Sequence, residues 1–181
     1  LIIISKEKGK LINQAYTVKI IMATCLFISE GSSGVTGHLT LSQTQEDSKT
    51  VIEGHIRGLT PNAKHGISVC TFGDTRDGSS SCGPIFNPFG KTHGSPSDDA
   101  ELRMEGDLGN ITADALGNAT IKVEESNIKI FGPHSVIGRS VVICAGADDE
   151  GRGGHENSLS TGNAGPRVAY GVLGLSKPQL S

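Results

Sequence analysis

An all-β domain, a sandwich or barrel of short strands, is the fold that the sequence predicts, and three observations predict it. Glycine takes 25 of 181 positions while aromatic residues make up only 4%, a composition suited to frequent turns rather than long helices. Short segments that alternate apolar and polar residues recur between turn signals along most of the chain. The length, with 35% hydrophobic residues, suits one domain of ordinary size.

Taken in order, residues 1–21 precede Met22 and read as an N-terminal extension, upstream read-through rather than part of the domain. A rival reading takes Lys19 as a basic flank and the run 20–28 as a signal-peptide core, which would imply secretion. No small-x-small cleavage site follows that run cleanly, and it also reads as a first strand. Alternation then predicts strands at 35–41, 51–56, 67–72, 119–123, 128–130, 141–145 and 168–175. Two stretches rich in Gly, Pro, Ser, Asn and Asp, 73–107 and 146–167, interrupt them. Loops of that length are commonly functional or disordered; the mixture of charged, polar and apolar residues, including Ile85, Phe86 and Phe89, predicts ordered ones. The domain proper thus spans 22–176, with 177–181 as a tail.

Sixteen basic residues against nineteen acidic ones give a net charge of −3 with no long block of either sign. That leaves no electrostatic footprint for nucleic acid or an anionic membrane. No run approaches the roughly 18–20 apolar residues of a spanning helix. The four cysteines, Cys25, Cys70, Cys82 and Cys144, form no CxxC pair, which argues against a zinc knuckle or a dense disulfide framework and favours a reducing, cytoplasmic setting. The glycine-rich stretches are not followed by Gly-Lys-Ser/Thr, so they are not phosphate loops.

Five motifs occur in one order: Gly83-Pro84-Ile85-Phe86-Asn87-Pro88, Gly106-Asp107-Leu108-Gly109-Asn110, Ile137-Gly138-Arg139, Ala147-Asp148-Asp149 and Gly162-Asn163-Ala164-Gly165-Pro166-Arg167. Together they resemble the copper/zinc superoxide dismutase family over about residues 22–176. The resemblance implies an eight-stranded Greek-key β-barrel, an immunoglobulin-like sandwich closed into a barrel, usually paired as a homodimer. Fold alone does not carry the chemistry, so each metal position needs its own check.

The family motif His-Gly-Phe-His-Val-His-Glu-Phe-Gly-Asp reads here as His65-Gly66-Ile67-Ser68-Val69-Cys70-Thr71-Phe72-Gly73-Asp74, so Ser68 and Cys70 stand where two copper imidazoles are implied. Ile85 stands at the histidine that bridges the two metals, and Cys144 at the fourth copper histidine. At the zinc positions His93 and Asp107 match, while Ile85 and Met104 do not; two ligands of four rarely hold zinc. Arg167 matches the anion-guiding arginine, Ser160 replaces the family's loop lysine, and Asp148 matches a carboxylate that links one ligand histidine from each metal site, its neighbours here expected to be Ser68 and His93. Ser79 and Tyr170 occupy the two disulfide positions, leaving Cys82 as a free thiol. Phe72, Gly73, Ile137, Gly138, Val172, Gly174 and Leu175 match the dimer face.

These matches lead to a dismutase-like pseudoenzyme with a binding or structural role and no resident cofactor, residual zinc at His93 and Asp107 excepted. Two alternatives are carried beside it: a metal-dependent superoxide dismutase, which overall similarity favours, and a partner of a true dismutase, pairing through the shared dimer face. Cys70 and Cys144 read as small apolar fillers, with a disulfide or a soft thiolate metal site as the sharper alternative. His93, Asp107 and Asp148 read as hydrogen-bonding anchors of the long loops. A serine-hydrolase triad is excluded because the aspartate, not the histidine, would lie in the middle. His38, His55, His65, His134 and His155 form no local pair at metal-ligand spacing and receive no role.

Overall fold

The computed structural model describes residues 2–7, 10–15 and 20–177. An antiparallel hairpin, β1 (Ile2–Glu7) and β2 (Lys10–Ala15), forms a two-stranded sheet of its own. The residues beyond 177 in the expected tail lie outside the described residues, as do 1, 8–9 and 16–19 of the expected extension.

Eight antiparallel strands form the other sheet: β3 (Ile21–Ser29), β4 (Thr36–Gln43), β5 (Thr50–Arg57), β6 (Lys64–Cys70), β7 (Asp107–Thr112), β8 (Ala119–Glu125), β9 (Ser140–Cys144) and β10 (Arg167–Ser176). Their spatial order is β7-β6-β9-β10-β3-β4-β5-β8, so β6 pairs with β9 and β5 with β8 across Greek-key crossovers, and the sheet curls into a nearly closed barrel. The run 20–28 is largely a strand, β3, with Ala23, Cys25 and Phe27 turned inward by the two-residue period.

The core holds Leu39, Leu41, Ile52, Ile56, Ile67, Val69, Val141, Ile143, Ala169 and Leu173. Burying each large aliphatic side chain contributes roughly 1.5–3 kcal/mol. β4, β5 and β8 expose alternate residues, but β6 is buried from His65 to Cys70. Its inner face, Ile67 and Val69, joins the core, while Ser68 and Cys70 point to the opposite face, beneath the long loops. The candidate site therefore sits on the outside of the barrel wall. Both loops are ordered there: the first contains a 3-10 turn, Gly78–Cys82, and the second a short helix, α1 (Ser158–Thr161).

Two expectations need correction. Residues 128–130 are not a strand, although Ile128 and Ile130 are buried in alternation. Their backbone is satisfied by other partners: Thr50 Oγ1 donates to the Ile128 carbonyl at 2.6 Å, and the Ile130 N–H donates to Gln43 Oε1 at 2.9 Å. Conversely, β7, which no predicted strand covers, starts at the last residue of the predicted loop 73–107 and runs five residues beyond it. Its sequence DLGNIT carries a glycine at φ +69° and pairs with β6 through a register shift, so it lacks regular alternation.

Candidate functional site

Ser68, Ile85, Val142, Cys144, Thr161, Gly165 and Arg167 line one small cavity of about 110 Å³. The structure thus gathers three of the five replaced ligand positions and Arg167 into one place. Cys70 is fully buried beside it, bridged to Ile85 by strand-like pairing and packed with Cys82, Val142 and Tyr170. Met104 lies apart, next to Asp107, whose Oδ2 accepts the Met104 N–H at 3.0 Å.

Arg167 projects from the start of β10, where a register shift turns it toward the 3-10 turn. Its Nη1 donates to the Ser79 carbonyl at 2.6 Å, and its Nη2 to the Gly83 carbonyl at 2.6 Å and to Cys70 Sγ at 3.3 Å. The guanidinium therefore ties the last strand to the turn that carries Ser79, where no disulfide can form. Ser160 lies exposed on α1.

All four cysteines are free thiols. Burial pushes the Cys70 thiol up to about 12, outweighing the nearby Arg167 charge that favours the thiolate, and burial likewise raises Cys144. Register separates the two: Cys70 faces Ser140, and Cys144 lies four residues farther along β9. At ~3.3 Å per residue that is about 13 Å, beyond the ~7 Å Cα limit for a disulfide. The sharper alternative of a Cys70–Cys144 disulfide is thus corrected by strand register.

The second cluster is ionic. His93 is buried, with Nδ1 at 2.7 Å from Asp107 Oδ1 and Nε2 at 2.7 Å from Asp148 Oδ1. Burial alone would lower the imidazole's proton affinity. The hydrogen bonds to Asp107 and then Asp148, with their charges, win and raise its pKa to about 10. A doubly protonated ring donates to both carboxylates. Asp107 Oδ2 also accepts the Gly94 and Met104 N–H groups, and Asp148 Oδ1 accepts that of Glu150. Ser68, expected beside Asp148, is not among its hydrogen-bond partners; Asn110 instead clasps the Asp148 backbone at 2.8 and 2.9 Å.

Gly162 closes this cluster. It sits at φ +63°, and a β-carbon there would collide with Asp148 Oδ1 and lie 2.7 Å from His93 Nε2. Gly162→Ala is expected to lose at least about 2 kcal/mol, from left-handed strain plus displacement of the Asp148 carboxylate. Urea unfolding measures it, and a loss below 0.5 kcal/mol would contradict the packing described.

Sequence reasoning missed the support beneath Asp107. Arg103, buried, donates through Nη1 to the Asp107 carbonyl at 3.0 Å and pairs through Nη2 with Glu125 at 2.5 Å. Lys91 pairs with Glu105 at 2.5 Å. No local pattern signals them, because each pair joins charges 14 or 22 residues apart in stretches already rich in charged residues. His65 is buried and structural, with Nδ1 donating to the Cys144 carbonyl and Nε2 accepting the Thr60 N–H. His38 and His55, given no role from sequence, face each other across β4 and β5 with ring centres 5.9 Å apart. Linear spacing could not reveal a pair made by strand register.

These residues do not fit the copper and zinc set that the family implies. Serine, isoleucine and buried protonated thiols offer no imidazole at the copper positions, and both His93 nitrogens are engaged by carboxylates. Among the described residues no group of three or more His, Cys, Asp and Glu is arranged to hold a metal ion.

Comparison with known proteins gives one consistent result. A family model described as copper/zinc superoxide dismutase matches residues 35–173. The chain is 50% identical over 155 residues to a protein of Cordyceps militaris named superoxide dismutase [Cu-Zn], covering 86% of this chain and 99% of that one. Proteins of the same name from Talaromyces marneffei and Candida glabrata are 51% and 52% identical over the same lengths and shares.

Proposed function

The chain belongs to the copper/zinc superoxide dismutase family, and from that premise we propose that it is a member whose role does not run through copper: a dismutase-fold binding or structural protein. The observation that carries this reading is the lining of the former ligand pocket by Ser68, Ile85 and Cys144, with Cys70 beside it against Arg167. Dismutation alternately reduces and oxidises a metal held beside superoxide. These side chains supply nothing that suits both oxidation states of copper, and Ile85 has no lone pair to bridge two ions. Arg167 keeps the anion-guiding position, with its donors committed to the turn.

A second reading, metal-dependent superoxide dismutation, is the one that the comparisons favour, because the relatives at about 50% identity carry that name over almost their whole length. One experiment separates the two. The protein is reloaded with copper and zinc, passed through EDTA and assayed with EDTA present. The proposal expects well under one copper per chain and no dismutation above a metal-free control. Stoichiometric retained copper with activity would establish the second reading and overturn the first.

The role proposed includes pairing, as a homodimer or with a related dismutase, through Phe72, Gly73, Ile137, Gly138, Val172, Gly174 and Leu175. Support comes from exposure of Phe72 (55%) and Leu175 (68%), and from the close approach of Gly73 to the Gly138 carbonyl, which leaves no room for a side chain. Sedimentation at tens of micromolar should show a dimer that Leu175→Lys dissociates; monomer throughout would contradict it. Unpaired thiols at all four cysteines support the proposal of a reducing, cytoplasmic location.

A further inference from the structure

We propose that His38 and His55 form a chelate for one divalent transition-metal ion on the outer face of the barrel, away from the former ligand pocket. The two residues are register partners on β4 and β5, so both rings rise from the same face of the sheet. Their centres are 5.9 Å apart. An ion about 2.1 Å from each ring nitrogen lies roughly 3.2 Å from each ring centre, so two rings can share it up to about 6.4 Å apart. The observed spacing falls inside that limit without movement of either strand.

Thr120, on β8, supplies the second element. It is the register partner of His55, and its Oγ1 lies 3.1 Å from His55 Nδ1. A hydroxyl accepting the Nδ1–H fixes the tautomer and leaves the Nε2 lone pair free for a metal, the arrangement by which ligating imidazoles are usually held. The rings open onto a groove of about 440 Å³ whose walls include Met22, Thr40, Glu53 and Lys122. Both histidines are exposed, so an ion can enter with its remaining waters. Glu53, on the same face, pairs with Lys122 at 2.8 Å and adds a carboxylate beside the groove. Two imidazole nitrogens with open positions suit nickel, copper(II) and zinc over magnesium or calcium.

The test titrates the chelator-treated full-length protein with Ni²⁺ and Zn²⁺ by calorimetry and follows histidine ring nitrogens by NMR. The expected result is one saturable site per chain, with His38 and His55 Nε2 signals shifted by Zn²⁺ and broadened by Ni²⁺. His38→Ala and His55→Ala, exposed substitutions, should each weaken binding at least about tenfold, and Thr120→Val by roughly tenfold with both ligands intact. Absence of saturable binding overturns the proposal, as does binding that persists in the double His38→Ala, His55→Ala variant or that shifts His93 instead. Because EDTA strips an open two-histidine site, this result is independent of the copper-retention experiment above.

Discussion

Replacing His93 with leucine is expected to destabilise the fold by about 3–5 kcal/mol, because it leaves two buried carboxylates, Asp107 and Asp148, without their shared cation. In a domain of this size that lowers the melting temperature by roughly 10 °C or more. Glutamine at the same position can still donate to one carboxylate and should recover part of the loss. The effect carries its own pH dependence. The folded imidazole pKa is raised from 6.5 to about 10, so its contribution is complete below pH 6.5 and fades as pH rises through 10. The stability gap between native protein and His93→Leu should therefore narrow from neutral to alkaline pH. Urea denaturation at pH 6, 8 and 10 measures it; a gap that is constant or widens would mean that His93 is neutral in the fold.

Removing Arg103 should be comparably severe. Arg103→Met leaves Glu125 buried and unpaired and removes the donor from the Asp107 carbonyl, with an expected loss of about 3–5 kcal/mol. Arg103→Met combined with Glu125→Leu should recover part of it: the uncompensated charge is then gone, while the Asp107 carbonyl and the Ser126 and Asn127 N–H groups that Glu125 accepts lose their partners. The double-mutant cycle should show coupling of more than about 1 kcal/mol. Purely additive losses would show that the pair is not acting as a pair. Because Arg103 also braces the backbone of Asp107, the His93 ring signals should shift in the single variant.

The barrel and most of its strands were legible because inward-facing residues alternate along β3, β4, β5 and β8. β7 was not, since Gly109 and the offset pairing with β6 break the alternation that marks a strand. At 128–130 the pattern misled, because alternation reports burial, and side chains of Thr50 and Gln43 supply the hydrogen bonds that a neighbouring strand otherwise would. In the site, ordered motifs identified which residues stand at the ligand positions. The resemblance also placed His93 beside Asp148, 55 residues away, as the structure has them. It offered nothing for Arg103 with Glu125, 22 residues apart, and His38 meets His55 only through register.

The Arg167 tether has a consequence in time rather than in energy. A covalent staple between the last strand and the 78–82 turn, once broken, waits for an oxidant and re-forms over seconds to hours. Three hydrogen bonds from one guanidinium need no electron acceptor. If the turn lifts away, it can re-dock as fast as a loop of this size closes, about 10–100 ns for ten residues. The same tether holds equally in glutathione-rich and oxidising surroundings, so the lifetime of the closed turn is set by temperature and not by the cell's supply of oxidants.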